Sequence, residues 1–304
     1  MDKLYDVIVV GGGPAGLTAA IYALRNGKSV LVIEKAVFGG QIVNSPKVEN
    51  IPGFAEVSGD DFGDMMLNQV TGQGGEVMFD EVLKVESSID EVTVYLDLGE
   101  PVRGKCAILA TGTTHRTLNL PNEEGLIGKS IHFCAVCDGN FYKGKRVVMI
   151  GGGNSAFVET SHLVDLCEKV IMLQDLEMFT AEKKLQDAVL KRDNVETHVN
   201  TRIMEYVLTD GKLSGVKYLE NGLEKTANCD GVFLAVGLIP DNDRFTNVAD
   251  LDERGYFRSD EYGLTRTNNI FVAGDCRSKK LRQVATACSD GANAAIEACR
   301  YLGY

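Results

Sequence analysis

The stretch VIVVGGGPAGLTAA, Val7 to Ala20, decides the fold, because an apolar run leads into three glycines and then into a helical sequence. Gly11 permits a tight turn, Gly13 lets the backbone approach a pyrophosphate, and Gly16 allows close packing of the helix. Glu34 ends the next apolar run, 23 residues after Gly11, where an acid suits ribose hydroxyls. The stretch therefore predicts a nucleotide at the amino end of the first helix.

The same pattern occurs a second time along the chain. VVMIGGGNSAFVET, Val147 to Thr160, repeats the first stretch, and VIMLQD, Val170 to Asp175, repeats VLVIEK, Val30 to Lys35. The offset is 140 residues in both cases, since residue 151 matches residue 11 and residue 170 matches residue 30. Two strand–turn–helix–strand units in equal register predict an α/β protein with two Rossmann-like, three-layer dinucleotide-binding domains.

Composition limits the classes of function. The chain has 304 residues, 44% of them hydrophobic and 24% charged, which is enough for two domains with cores of their own. No apolar run reaches the roughly 18 residues of a membrane span, and no signal peptide precedes the first strand, so we predict a cytoplasmic protein. A formal charge of −12 disfavours nucleic acid as a partner.

Four further motifs stand in order along the chain. They are GGQIVNSPKVENIPGF, ILATGT, CAVCDG and VAGDCRSKKLRQVATACSDG, at residues 39–54, 108–113, 134–139 and 272–291. Together they resemble the low-molecular-weight thioredoxin reductases over nearly the whole chain. The resemblance implies an FAD-binding domain made of residues 1–113 and 243–304, a second Rossmann-like domain of NAD(P) type inserted between them at residues 114–242, and a homodimer.

The resemblance also implies an FAD site that draws on both ends of the chain. Asp275 is expected on the ribityl chain of the cofactor, and Gln283 and Val284 near the flavin ring. With the first glycine turn, the expected FAD residues are Gly11, Gly13, Pro14, Ala15, Gly16, Glu34, Lys35, Gly40, Gln41, Asn50, Val82, Ala110, Gly112, Gly274, Asp275, Arg282, Gln283 and Val284.

CAVCDG supplies the chemistry. A Cys-x-x-Cys pair at the start of a helix can close a small disulfide ring, and the helix dipole lowers the thiol pKa so that a thiolate is available. The resemblance implies that Cys137 faces the flavin and that Cys134 attacks the substrate disulfide. Asp138 is then the candidate general acid that protonates the departing thiolate.

A zinc site is the competing interpretation of the two cysteines. It needs two more ligands, and the sequence has no second pair with metal-like spacing. We therefore predict no metal, and we expect the histidines to be structural or surface residues because they stand alone at His115, His132, His162 and His198.

The second unit lacks the cations expected at an NADPH site. The 140-residue register matches Glu34 with Gln174, where NADPH-using members of the family carry a His-Arg-Arg run and a further arginine. This chain has Gln174, Asp175, Leu176 and Thr180 at those positions, so no cation pairs with a 2′-phosphate there and Asp175 repels it. NADPH is predicted not to be the donor, whereas NADH stays open because Asp175 could reach ribose hydroxyls.

In lacking these cations, the chain resembles the ferredoxin-dependent flavin thioredoxin reductases, a branch of the same family. The resemblance implies that electrons pass singly from reduced ferredoxin to FAD, then as a pair to the Cys134–Cys137 disulfide, and then to thioredoxin by exchange. The inserted domain is expected to swing between two orientations. The rival hypotheses are a reductase that uses NADH or, with less support, NADPH, and a flavin redox protein without turnover.

Two basic clusters are candidate docking surfaces, because an acidic protein needs local positive charge to meet an acidic ferredoxin. The alternative interpretation is that these lysines and arginines are ordinary surface residues whose charges are solvated by water. The ferredoxin candidates are Arg277, Lys279 and Lys280, and the cluster that could meet thioredoxin is Lys143, Lys145 and Arg146.

Two tyrosines stand at the end of the chain. Tyr301 or Tyr304 could lie on a flavin face. The alternative is that Tyr301 packs the helix end and that Tyr304 is disordered.

Overall fold

The computed structural model describes residues 3–45 and 48–303. Its contacts divide the chain into two compact units, one made of residues 1–114 and 239–304 and the other of residues 115–238. The domain boundaries predicted from sequence lie within a few residues of these divisions. Two short strands at the divisions pair with each other as a two-stranded sheet.

The strands alternate with helices in chain order. The described strands are β1 (Leu4–Val10), β2 (Val30–Glu34), β3 (Glu76–Phe79), β4 (Val82–Ser87), β5 (Val92–Leu96), β6 (Val102–Leu109), β7 (Thr113–His115), β8 (Ile131–His132), β9 (Arg146–Ile150), β10 (Lys169–Leu173), β11 (Val195–His198), β12 (Thr201–Thr209), β13 (Lys212–Glu220), β14 (Leu223–Asn228), β15 (Gly231–Leu234), β16 (Leu238–Pro240) and β17 (Ile270–Val272).

Seven α-helices are described, and 3-10 turns accompany them. The helices are α1 (Pro14–Arg25), α2 (Gly59–Gly72), α3 (Glu123–Leu126), α4 (Ala135–Asp138), α5 (Asn154–Leu163), α6 (Lys183–Val189) and α7 (Val284–Tyr301). The 3-10 turns cover Gly40–Asn44, Gly139–Tyr142, Asp243–Phe245 and Gly274–Cys276. Within the described ranges, none of these helices has the length and apolarity needed to cross a membrane.

The first unit is built on one large sheet. Its strands follow the order β3-β2-β1-β6-β5-β4, and β17 pairs with the carboxyl half of β6. The carboxyl half of β1 is a continuous apolar run because side chains on both of its faces are buried, with Val7 and Val9 in one core and Ile8 and Val10 in the other. Since β1, β6 and β17 run parallel, their carboxyl ends lie at one edge of the sheet.

Helices α1 and α7 pack tightly against each other over this sheet. A Cβ atom on Gly291 would lie 2.1 Å from the carbonyl oxygen of Ala15, so only glycine permits the approach. The end of α7 is held by Tyr301, whose hydroxyl donates to the carbonyl oxygen of Ile89 at 2.9 Å. This contact supports the helix-end role for Tyr301, whereas Tyr304 lies outside the described residues.

The second unit repeats the plan on a smaller scale. A parallel sheet runs in the order β11-β10-β9-β15-β8, and an antiparallel sheet of β12, β13 and β14 accompanies it. The predicted fold class is confirmed, since each unit sets a glycine turn and a helix after the first strand of a parallel sheet.

Candidate functional site

The first glycine turn lies between β1 and α1 and leaves a helix start open to a ligand. Gly11 has φ +108°, and a Cβ atom there would lie 2.2 Å from the carbonyl oxygen of Ala110. A Cβ atom on Gly16 would lie 1.9 Å from the carbonyl oxygen of Gly11. Pro14 begins α1, and Gly13 precedes it without a capping side chain. The backbone N–H groups of this turn are therefore placed to bind an anion.

Glu34 lies at the carboxyl end of β2 beside this turn. Its carboxylate accepts hydrogen bonds from the backbone N–H of Gly12 at 2.6 Å and of Ala36 at 2.8 Å. A cleft opens here, and its lining includes Gly11, Lys35 and Val82. Four of the predicted FAD residues thus surround one cavity at the edge of the sheet, which fits the nucleotide half of FAD.

Further FAD residues come together around the loop that follows β2. A Cβ atom on Gly40 would lie 3.0 Å from the Cα atom of Gly13, so this loop closes on the glycine turn. The side-chain amide of Gln41 donates to the carbonyl oxygen of Thr113. These contacts bring the glycine turn, the 3-10 turn and the end of β6 into one region, as the FAD assignment requires.

Asp275 tests whether the site fits FAD. Its Oδ1 atom is buried and has no hydrogen-bond partner among the described residues, and the Nζ of Lys279 stands 3.8 Å away. Burial raises the pKa of this carboxyl group above its usual range. A buried carboxylate oxygen needs a donor, and a ribityl hydroxyl of FAD is a donor of the right kind. The residues therefore fit the cofactor.

The start of α7 carries the residues expected near the flavin ring. Gln283 caps the helix and forms a reciprocal capping box with Thr286, and Val284 is the first helical residue. The side-chain amide of Asn50 donates to Oε1 of Gln283 at 3.0 Å. The structure thus joins two predicted FAD residues that lie far apart in sequence.

Arg282 holds the loop that precedes α7. Its guanidinium donates to the carbonyl oxygens of Asp275, Arg277 and Lys279 at 3.1 to 3.3 Å, and it lies 4.3 Å from the centre of the Tyr256 ring. These bonds fix the path of the chain through residues 275–279. The FAD contact predicted for Arg282 stays a prediction.

The structure corrects the predicted ferredoxin-docking surface. Arg277 donates two hydrogen bonds of 2.8 Å to the carboxylate of Asp290, and Lys279 donates to the same carboxylate at 2.8 Å. The side chains of Arg277 and Lys279 are only 6% and 7% exposed. Buried cations that neutralise an internal carboxylate cannot steer a partner, so the prediction was wrong for these two residues and only Lys280 is exposed.

The two cysteines of CAVCDG form a disulfide at the start of α4. Cys134 caps this helix, and its Sγ atom accepts a hydrogen bond of 3.2 Å from the backbone N–H of Cys137. Both cysteines are half-buried, and Val136 between them is exposed. The ring is therefore redox-capable and reachable, and no metal-binding group of His, Cys, Asp or Glu occurs in the described ranges.

Asp138 is buried directly after the disulfide, and a histidine lies beside it. Nδ1 of His132 stands 3.0 Å from Oδ2 of Asp138, within ion-pair distance, although the angles do not form a hydrogen bond. Nε2 of His132 lies 2.8 Å from the hydroxyl of Tyr142. The sequence analysis missed this role for His132, because nothing in an isolated histidine shows that β8 will bring it against α4.

Glu159 is a second site residue that the sequence analysis missed. It lies on α5, and its carboxylate accepts a hydrogen bond from the backbone N–H of Ala135. Burial raises the pKa of Glu159, and the nearby charge of Asp138 acts in the same direction. Two carboxyl groups, Asp138 and Glu159, thus approach the cysteine helix from different elements.

The second glycine turn keeps the geometry of the first. Gly151 has φ +124°, and a Cβ atom there would lie 2.5 Å from the carbonyl oxygen of Ala235. Gln174 occupies the ribose position predicted for it and is buried, with Nε2 donating to the carbonyl oxygen of Met178 at 3.4 Å. Asp175 is exposed in the loop that follows.

An acid also lies at the start of the second turn's helix. The side-chain amide of Asn154 donates to Oε1 of Glu182 at 3.2 Å, and the backbone N–H of Glu182 donates to Oδ1 of Asn154 at 2.8 Å. Asn154 is the first residue of α5, the helix end where a pyrophosphate would bind. Glu182 therefore adds negative charge at a place that an NAD(P)H site needs for phosphate.

Comparison with known proteins gives one family. The family described as "Pyridine nucleotide-disulphide oxidoreductase" matches residues 5–291. A thioredoxin reductase of Listeria monocytogenes is 38% identical over 303 residues, covering 99% of this chain and 95% of that protein. A protein of Clostridium pasteurianum described as "34.2 kDa protein in rubredoxin operon" is 36% identical, covering 99% of this chain and 98% of that one.

A solved structure gives the same answer for the fold. The thioredoxin reductase from Streptococcus pyogenes superposes with a TM-score of 0.91 at 33% identity, covering 99% of each chain.

Proposed function

Because this chain belongs to the pyridine nucleotide-disulphide oxidoreductase family, and within it to the low-molecular-weight thioredoxin reductases, we propose that it reduces thioredoxin with electrons from ferredoxin. It is a flavin disulfide oxidoreductase whose cofactor is FAD. We further infer that the first unit binds FAD and that the second is an NAD(P)-type domain that carries the cysteine pair and does not bind NADPH. The proposal includes a cytoplasmic homodimer, as the family resemblance suggests.

One observation carries the disulfide chemistry. The Cys134–Cys137 ring is half-buried and is followed at once by the buried carboxyl group of Asp138. FAD, when bound, supplies a carrier that accepts single electrons and releases a pair. The protein supplies a dithiol nucleophile and an adjacent acid, which are the groups that thiol–disulfide exchange requires.

The residues act in sequence once the cysteine pair is reduced. The backbone N–H of Cys137 is placed to stabilise a thiolate on Cys134, which attacks one sulfur of the thioredoxin disulfide. The sulfur–sulfur bond of thioredoxin breaks, and Asp138 protonates the departing thiolate. Cys137 then attacks the mixed disulfide, which reforms the Cys134–Cys137 bond and leaves thioredoxin reduced by two electrons.

The second glycine turn supports a donor other than NADPH. Neutral Gln174 stands at the position that matches Glu34 of the first unit, Asp175 is exposed where a 2′-phosphate would need a cation, and Glu182 is hydrogen-bonded to Asn154 at the start of α5. The two acids make an anionic nucleotide less favourable at this turn, and Gln174 lacks the carboxylate that would bind ribose hydroxyls. Ferredoxin is the proposed donor because it needs no nucleotide pocket, and its docking site is no longer assigned to Arg277 and Lys279.

Replacement of Cys134 by serine tests the disulfide chemistry. We expect the variant to bind FAD normally but to reduce no thioredoxin, because the attacking thiol is gone while the FAD residues are untouched. The measurement is anaerobic thioredoxin turnover with a supplied low-potential reductant, together with the flavin absorption spectrum. Cys106→Ser, at a buried free cysteine on β6 of the first unit, is the matched control and should keep turnover. Turnover by Cys134→Ser would contradict the assignment.

Two rival functions give different results in the same assays. Rapid loss of flavin absorbance on anaerobic mixing with NADH or NADPH would favour a pyridine-nucleotide-dependent reductase. Bound flavin without any turnover of thioredoxin would favour a flavin redox protein.

A further inference from the structure

A buried chain of polar side chains lies behind the cysteine ring and is not used by the exchange steps above. It runs from Asp138 on α4 to His132 on β8 and on to Tyr142 in the 3-10 turn after α4. His132 is 3% exposed, Asp138 6% and Tyr142 4%, so the three groups are shielded from water. Asp138 therefore has a buried ionisable side chain, His132, within ion-pair distance.

The contacts of His132 hold the ring in one orientation. Its Nε2 atom lies 2.8 Å from the Tyr142 hydroxyl, and its face packs on Phe233 with ring centres 5.5 Å apart. Its Nδ1 atom is buried and has no hydrogen-bond partner among the described residues, and it lies 3.0 Å from Oδ2 of Asp138.

We propose that His132 is the proton-holding residue for Asp138, with Tyr142 fixing the orientation of its ring. This inference rests on the proposed disulfide exchange and assigns a role that the exchange leaves open, the source of the proton that Asp138 gives away. His132 does not contact the substrate. It acts through Asp138 and is a positioning residue.

The proton balance of one turnover is complete. Cys134 attacks, the substrate sulfur–sulfur bond breaks, and Asp138 gives its proton to the first departing thiolate. A His132 ring that carries protons on both nitrogens passes its Nδ1 proton to Asp138. When Cys137 loses its thiol proton to become the second nucleophile, that proton returns to the pair, and water protonates the second departing thiolate.

Other ionisable groups face this chain from the elements packed around it. The two nearby thiols stay neutral because burial raises the pKa of Cys167 to about 11 and of Cys229 to about 12. Burial also raises the pKa of Tyr142, so its hydroxyl keeps its proton. Glu159 interacts with Asp138, and the ionisable groups near Tyr142 are Asp138, Lys145, Cys167, Cys229 and Asp230.

The test measures the oxidation of prereduced, FAD-loaded protein by a disulfide between about pH 5.5 and pH 9. In His132→Gln we expect the rate to stay within about twofold of the parent at the acidic end, where the departing thiolate can take its proton from solvent. At the alkaline end we expect about a tenfold loss, because no group replaces the proton that Asp138 gives away. Tyr142→Phe should also lower the oxidation rate at the alkaline end of the pH profile, which we call the alkaline limb, but by a smaller factor.

A control and a second oxidant make each outcome decisive. His115→Gln is the matched histidine control, because burial lowers the pKa of His115 to about 4 and the ring stays neutral in this range. Its alkaline limb should not move. Each protein is oxidised by thioredoxin disulfide and, separately, by bis(2-hydroxyethyl) disulfide, whose departing thiolate also needs a proton.

The possible results separate this inference from the proposed function. Oxidation by the small disulfide but not by thioredoxin would refute thioredoxin as partner and would leave the His132 comparison readable. Oxidation by neither would overturn both. An equal loss of rate at every pH in His132→Gln would overturn the proton-holding role. If that variant does not fold, an alkaline limb in Tyr142→Phe that matches the parent would overturn the role instead.

Discussion

The half-buried carboxyl group of Glu159 makes the stability of the second unit depend on pH. Burial raises its pKa in the folded state above the value in the unfolded chain. The folded state therefore holds a proton that the unfolded state releases, and stability falls as pH rises from the ordinary glutamate range through the raised pKa. Glutamine cannot ionise, and its amide oxygen can still accept from the N–H of Ala135.

We therefore expect Glu159→Gln to melt at a higher temperature than the parent near pH 8, with the difference shrinking towards pH 4. Thermal unfolding of the FAD-loaded protein, followed by circular dichroism across this range, measures the effect. Glu177→Gln is the matched control, because Glu177 lies in an exposed loop and its replacement removes no buried charge. A Glu159→Gln variant whose advantage is absent at pH 8 would contradict the buried-acid account.

At the scale of elements, a buried charge cluster ties the loop before α7 to α7 itself. Asp290 accepts from Arg277, Lys279 and the backbone N–H of Gly274, so one stretch of chain, residues 274–279, wraps around a carboxylate of α7. Burial opposes ionisation of Asp290, but the bonds from Arg277 and Lys279 outweigh it and lower the pKa of Asp290. The cluster is therefore part of the scaffold that positions Asp275 and the start of α7.

Asp290→Asn should lower the free energy of unfolding by about 3 kcal/mol, because two buried cations lose their main partner. This loss lies at the lower end of the range measured when one partner of a buried ion pair is removed. Each cation keeps a second acid nearby, because Glu261 lies 3.6 Å from Arg277 and Asp275 lies 3.8 Å from Lys279. Urea unfolding measures the change. Asp187→Asn, in an exposed pair with Lys183, is the control and should cost less than about 0.5 kcal/mol. Equal effects would show that burial does not matter here.

This cluster also shows where reasoning from sequence ends. The sequence places Arg277, Lys279 and Lys280 in one short stretch, and that spacing suggests an exposed basic loop. The partner that buries two of them, Asp290, lies in the next helix, and only the packed fold brings it within 2.8 Å. His132 was missed for the same reason, because its neighbours come from other elements.

Across the whole molecule, the features predicted correctly are those set by local rules. A glycine turn after an apolar strand needs particular backbone angles, and both turns have the positive φ values that glycine allows, at Gly11 and Gly151. The cysteine pair likewise needs only a spacing of three residues. The α/β fold and the cysteine chemistry could therefore be predicted, whereas the burial of Arg277 and the contacts of His132 depend on tertiary packing.

The electron donor is the central claim for the molecule as a whole, and one measurement tests it most directly. Oxidised, FAD-loaded protein is mixed anaerobically with reduced ferredoxin, NADPH or NADH in separate reactions, and flavin absorbance is followed with thioredoxin disulfide present. The account predicts that ferredoxin bleaches the flavin and drives thioredoxin reduction, while both nucleotides leave the flavin oxidised. Glu182 places negative charge near the position of a pyrophosphate, Gln174 lacks a carboxylate for ribose hydroxyls, and Asp175 repels a 2′-phosphate. Rapid bleaching by NADPH or NADH, with thioredoxin reduced at a matching rate, would contradict it.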